Sequence, residues 1–141
     1  MALRIYSGSC HCGAVRYEAD LDLSAGTLRC NCSLCTKARA WFAFAKGAES
    51  FRLIAGEAAL AEYRWTPEGR PEPFLRYRFC RSCGIRAFAR GELESLGGTF
   101  HAVPVTSLDH VDADELAAAP IRYVDGRQGR YEEQPVDIRA M

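Results

Sequence analysis

The sequence predicts a mainly β chain of short antiparallel strands with one short helix near the C-terminus. Three observations carry that reading: runs in which apolar and polar residues alternate with period two, segments rich in proline and glycine between them, and a single stretch with helix-capping signals. No internal repeat or shift of composition divides the 141 residues, so 1–141 reads as one domain.

The first strand begins just after Gly13, where Val15, Tyr17 and Ala19 alternate with Arg16, Glu18 and Asp20. Trp41 to Ala45 is the next candidate, and Phe51 to Ile54 and Tyr63 to Trp65 are short strands after it. Thr66 to Pro73 holds three prolines and a glycine, which argues against regular structure and for a surface loop. Phe74 to Phe79 places Leu75, Tyr77 and Phe79 on one face, opposite Phe74, Arg76 and Arg78. Arg86 to Arg90, Thr99 to Val103 and Ile121 to Val124 complete the strand set. The helix is signalled by Asp112 as cap, Glu115 as its capping-box partner, the run Leu116 to Ala119, and Pro120 as terminator.

Hydrophobic residues make up 48% of the chain and charged residues 26%, the composition of an ordered globular protein. Eighteen Lys and Arg balance eighteen Asp and Glu, so the basic excess that drives non-specific nucleic-acid binding is lacking. The N-terminal residues have no apolar core of a signal peptide, and no stretch reaches membrane-spanning length. These features predict a cytoplasmic protein. Thiols stay reduced there, and the cysteine count of seven is odd, so metal binding or catalysis is the expected use rather than disulfides.

The cysteines form three clusters: Cys10-His-Cys12-Gly13, Cys30-Asn-Cys32-Ser-Leu-Cys35 and Cys80-Arg-Ser-Cys83-Gly84. Two thiolates a few residues apart can face one ion where a trailing glycine permits the tight turn, which pairs Cys10 and Cys12 with Cys80 and Cys83 in a closed four-thiolate zinc site. Cys30, Cys32 and Cys35 lie within six residues and could hold a second ion from a single loop, with its fourth position open. Three thiolates over-neutralise Zn2+, which blunts its power to acidify water and suits sulfur chemistry on a small thiol. Iron also accepts soft thiolates, but the knuckle spacing favours zinc. The same cysteines also fit one structural zinc with spare thiols, or a redox switch in the triplet.

With these clusters in place, the chain resembles the glutathione-dependent formaldehyde-activating enzyme family, also called the centromere protein V family. The resemblance rests on Gly8 to Tyr17, Arg29 to Lys37, Leu53 to Glu57, Phe79 to Gly84 and Tyr123 to Gly126. It implies a β-tent fold of small sheets around a structural zinc on Cys10, Cys12, Cys80 and Cys83. It further implies a catalytic zinc on Cys30, Cys32 and Cys35, glutathione as cosubstrate, and reversible addition of that thiol to formaldehyde, a carbon-sulfur lyase run in reverse.

Lys37, Arg39 and Arg86 follow cysteine clusters and are candidates to hold the carboxylates of glutathione, or else to balance thiolate charge. Trp41 to Phe44 follows the triplet and either walls a pocket or packs a strand into the core. His11 is expected at the surface rather than on the metal, His101 as a partly buried structural residue and His110 in a loop. The combined expectation is a zinc-dependent enzyme acting on a small thiol and a small aldehyde. A zinc-stabilised binding module without catalysis and a thiol-based redox or metal sensor are its rivals.

Overall fold

The computed structural model describes residues 3–141. In chain order its strands are β1 (Arg4–Ser9), β2 (Arg16–Leu21), β3 (Thr27–Cys30), β4 (Phe42–Lys46), β5 (Phe51–Ala55), β6 (Leu60–Trp65), β7 (Leu75–Cys80), β8 (Arg86–Leu93), β9 (Gly98–Pro104) and β10 (Ile121–Val124). Helix α1 (Ser33–Ala38) follows β3, and α2 (Ala113–Ala118) precedes β10. The mainly β expectation holds, and no helix among the described residues is long and apolar enough to cross a membrane.

A three-stranded sheet runs β1-β2-β5 and a seven-stranded sheet runs β10-β3-β4-β9-β8-β7-β6. One pair departs from the antiparallel expectation: β10 lies parallel to β3, with Ile121 opposite Thr27 and Val124 opposite Cys30. The long crossover that a parallel pair requires is supplied by everything between them. Strands β1 and β3 escaped the sequence reading because the two apolar residues of one, Ile5 and Tyr6, are adjacent rather than alternating, and the other has four residues.

The seven-stranded sheet carries a buried cluster on each face. Ala43, Ala45, Phe88 and Val103 point toward the three-stranded sheet, where Val15, Tyr17, Ala19 and Leu21 of the β2 segment meet them in one core. Phe42, Tyr77, Ala89, Phe100 and Ala102 alternate to the opposite face. A bulge between Arg78 and Phe79 breaks the expected alternation of β7, leaving Phe79 half-buried and sending Cys80 fully into the interior. At α2, Asp112 stands at the N-cap but its side chain makes no capping bond. Glu115 accepts instead from Arg4 Nη2 at 2.7 Å and Tyr6 Oη at 2.6 Å, docking the helix on β1.

The Tyr17 ring lies across Gly8 of the neighbouring strand, so a methyl group there would overlap the ring. Tyr17 is itself pinned by Phe51, stacked at 5.2 Å, and by its hydroxyl on Ser107. Gly8→Ala should therefore destabilise the protein by about 1–3 kcal/mol, read as a lower denaturation midpoint.

His101 is buried with its ring stacked on Phe51 at 4.1 Å, and its Nδ1 has no partner. Burial, and next the charge of Arg90, hold its pKa down from 6.5 to about 4. The folded value lies below the unfolded one, so protonation favours the unfolded chain. Stability is complete above pH 6.5 and falls as the pH drops toward about 4. The expected loss is about 2 kcal/mol after allowing for solvent screening, and His101→Leu should remove that part of the acid sensitivity in denaturant titrations.

Candidate functional site

Cys10 and Cys80 each open a tight turn of similar construction. The Cys10 N–H donates to the Val15 carbonyl and the Cys80 N–H to the Ile85 carbonyl, while Gly13 and Gly84 donate back to the Cys10 and Cys80 carbonyls. Gly13 at φ +80° and Gly84 at φ +75° occupy the left-handed region these turns require. The result is four sulfurs, of Cys10, Cys12, Cys80 and Cys83, all within 4.8 Å of one another. Cys12 Sγ lies 3.7 Å from Cys10 Sγ and 3.6 Å from Cys80 Sγ. Backbone N–H groups of Cys12 and Ile85 pull the Cys83 thiol down to about 6, favouring the thiolate a metal needs. This cluster could hold a metal ion, and it joins the β1–β2 turn of one sheet to the β7–β8 turn of the other.

Cys30, Cys32 and Cys35 form a second cluster whose sulfurs also lie within 4.8 Å of one another. The local structure is more ordered than the single loop expected from spacing. Cys30 ends β3, Cys32 is the N-cap of α1, and Cys35 lies within that helix. The Cys32 sulfur takes the capping role that serine or aspartate usually fills, accepting from Cys35 N–H at 3.4 Å. Cys30 Sγ in turn accepts from Cys32 N–H at 3.4 Å. Thiol bonds from Cys30 and Cys35 push the Cys32 pKa far down, and the reciprocal contacts raise Cys35. Cys32 is the sulfur that carries negative charge first.

The chain after β10 closes over this cluster. Asn31, between two of the cysteines, donates from Nδ2 to Asp125 Oδ1 at 3.0 Å and accepts at Oδ1 from Arg127 N–H at 2.9 Å. Arg127 Nε adds a bond to the Asn31 carbonyl at 3.0 Å. Gly126 between them touches the site directly: a methyl group there would overlap Cys30 Sγ and lie 3.2 Å from the Tyr131 ring. Sequence reading missed Asn31, Asp125 and Arg127, although the Tyr123 to Gly126 run was already part of the resemblance. Gly126→Ala should displace Cys30 and weaken metal retention at the triplet by about 10–100-fold, measured by competition with a coloured chelator.

Cys30, Cys32 and Cys35 all line a cleft of about 890 Å³, and Cys10, Cys12, Cys80 and Cys83 do not. Phe42, Phe44 and Phe100 form part of its wall, so the aromatic run after the triplet divides: Trp41 packs toward the core and bonds Thr27 Oγ1 from Nε1, while Phe42 and Phe44 face the cleft. Tyr77 also lines the cleft and lies against Cys35; burial first, and then its interaction with the cysteine cluster at Cys35 and Cys32, raise its pKa and keep the phenol protonated. The cations on the cleft wall are Lys46, Arg70 and Arg122.

Lys37, Arg39 and Arg86 are placed elsewhere. Lys37 is exposed on α1, and Arg39 caps that helix at φ 54° and donates to the Ala140 carbonyl at 3.3 Å. Arg86 lays its guanidinium over the Tyr77 ring at 4.3 Å, reaching the cluster only through that ring. None of the three lines the large cleft, but Arg39 shares the wall of a much smaller pocket with Cys30 and Cys35. His11 and His110 are exposed, and His101 lies on the core side of its sheet.

Residues 5–124 match the family described as glutathione-dependent formaldehyde-activating enzyme. A crystal structure of a Rhodobacter sphaeroides protein, a Northeast Structural Genomics target, is similar at a TM-score of 0.64 with 30% identity, over 82% of this chain and 99% of that one.

Proposed function

The chain belongs to the glutathione-dependent formaldehyde-activating enzyme family, and on that premise we propose that it is a zinc-dependent enzyme adding the thiol of glutathione reversibly to a small aldehyde. The observation that carries this reading is the three-sulfur cluster on the wall of the large cleft, with the four-sulfur cluster kept out of it.

The donor sets fit zinc at both places: four thiols for a closed site on Cys10, Cys12, Cys80 and Cys83, three for an open one on Cys30, Cys32 and Cys35. Zinc at the open site supplies a soft, thiolate-rich centre that orients a thiol sulfur and favours its ionised form. The protein does the rest. Lys46, Arg70 and Arg122 present positive charge to the two carboxylates of glutathione. The aldehyde carbon meets the sulfur, a carbon-sulfur bond forms, and the carbonyl electron pair moves onto oxygen. The proton released by the thiol ends on that oxygen, and Tyr77 Oη, kept protonated on the cleft wall beside Cys35, can steady the developing charge with a hydrogen bond.

The test is the exchange rate between glutathione, formaldehyde and their adduct, followed by NMR on zinc-loaded protein. An acceleration over the uncatalysed rate that disappears on mild chelation, with the fold retained, is expected. No acceleration by fully zinc-loaded protein, with formaldehyde or with a larger aldehyde such as benzaldehyde, would refute the enzymatic reading and leave a zinc-stabilised binding module.

A further inference from the structure

We propose that the cleft above Cys30, Cys32 and Cys35 selects an aldehyde carrying an aromatic ring, and that Trp65 and Phe74 form the wall that receives the ring. This rests on the thiol-addition reading and names its second substrate.

Size is the first argument. A one-carbon aldehyde displaces the space of about one or two waters, roughly 30–60 Å³, whereas sites for small-molecule ligands run from about 300 to 1,000 Å³. The cleft holds about 890 Å³. That is near the upper end of the range for small-molecule sites, so a second substrate larger than a one-carbon aldehyde has room beside the thiol.

Chemistry is the second. The cations and the phenol serve the thiol's carboxylates and the carbonyl oxygen, yet the cleft wall also carries Phe44, Trp65, Phe74 and Phe100. Phe100 makes a fence with its neighbours, edge-on to Phe44 at 5.8 Å and tilted to Phe74 at 6.1 Å. Phe44, Trp65 and Phe74 remain half-buried, with ring surface turned to the cleft. Such surface gains nothing from formaldehyde, which has no apolar body, and gains both area and ring-ring contact from an aromatic group.

Rigidity is the third. Trp65 pairs with Leu75 at the root of the β6–β7 hairpin, and Phe74 is the residue before Leu75. The Thr66 to Pro73 loop with its three prolines springs from that root, and Arg70 folds back over the Phe74 ring at 4.4 Å. The receiving wall is thus built before any ligand arrives, which lowers the ordering cost of binding. The reaction itself is unchanged: the thiol sulfur bonds the carbonyl carbon of the ring-bearing aldehyde, the carbonyl pair goes to oxygen, and the thiol's proton ends on that oxygen.

Two stable probes isolate the ring. S-benzylglutathione lacks only the hydroxyl of the benzaldehyde adduct, and S-methylglutathione lacks only that of the formaldehyde adduct. Calorimetric titration of zinc-loaded protein should show the benzyl probe binding at least tenfold more tightly, with most of that preference lost in both Trp65→Ala and Phe74→Ala, each checked for wild-type circular dichroism. Equal affinities, no binding of either probe, or a preference that survives both substitutions would overturn the inference. The exchange measurement separates it from the function it rests on. Accelerated formaldehyde exchange with equal probe affinities removes the aromatic selectivity and keeps the enzyme. A benzyl preference without accelerated exchange of either formaldehyde or benzaldehyde removes the enzyme and keeps the ring site.

Discussion

Cys80→Ser should yield a chain that no longer folds cooperatively at ordinary temperature, recovered as aggregate or as an expanded form without near-ultraviolet dichroism. The Cys80 sulfur is fully buried at the end of β7 and lies 3.6 Å from Cys12 Sγ, which comes from the turn between β1 and β2. Those two turns belong to different sheets, and the cysteine cluster links them directly. Structural zinc on thiolates contributes about 10–16 kcal/mol of apparent binding free energy, comparable with the whole stability of about 5–15 kcal/mol for an ordinary domain. Serine offers a harder oxygen that ionises poorly, and leaves a hydroxyl in a site that buries it. The same collapse is expected when wild-type protein is stripped by a strong chelator, and zinc should reverse it. A Cys80→Ser variant with wild-type melting behaviour would show that the four-sulfur cluster has no structural metal role.

The sequence made some parts of this molecule legible and hid others for physical reasons. Strand β2 was visible because Val15, Tyr17 and Ala19 all face one core, so burial and alternation agree. Strand β7 was only half visible: the bulge at Arg78 and Phe79 shifts the period, and bulges leave no compositional mark. Helix α1 was hidden because its cap is a cysteine sulfur and its six residues are too few to show an apolar stripe. At the candidate site, the cysteine groups drawn from spacing are the groups whose sulfurs come together, since short turns fix where such side chains can point. The cleft was not legible, because Lys46, Arg70 and Arg122 are brought to it from three distant segments by the order of strands. Proximity in sequence pointed instead to Lys37 and Arg39, which helix α1 carries outside that wall. The clamp of Asp125 and Arg127 on Asn31 depends on the parallel pairing of β10 with β3, a long-range contact without a local signature.

Cys32→Ala should behave in the opposite way to Cys80→Ser, with the fold retained and turnover reduced on the order of a thousandfold, the scale of removing one essential electrostatic partner. The alanine removes one of three sulfurs, so only Cys30 and Cys35 remain, below the three protein ligands an open zinc site ordinarily has. It also removes the N-cap of α1, which costs about 1 kcal/mol and lowers the melting temperature by a few degrees. These two losses can be told apart. Cys32→Ser restores a hydroxyl able to accept from Cys35 N–H, the bond that Cys32 Sγ makes at 3.4 Å, so it should recover the melting temperature. It should not recover turnover, since a serine oxygen is a poor substitute for the thiolate that the neighbouring cysteines and backbone N–H groups favour at this position. Metal analysis should then find about one zinc per chain in either variant against about two in the wild type, the remaining ion being the one that mild chelation leaves in place. Wild-type exchange rates in Cys32→Ala would remove the triplet from the chemistry altogether. Equal loss of stability in the alanine and serine variants would instead make the sulfur's contribution to the fold one of metal binding rather than capping.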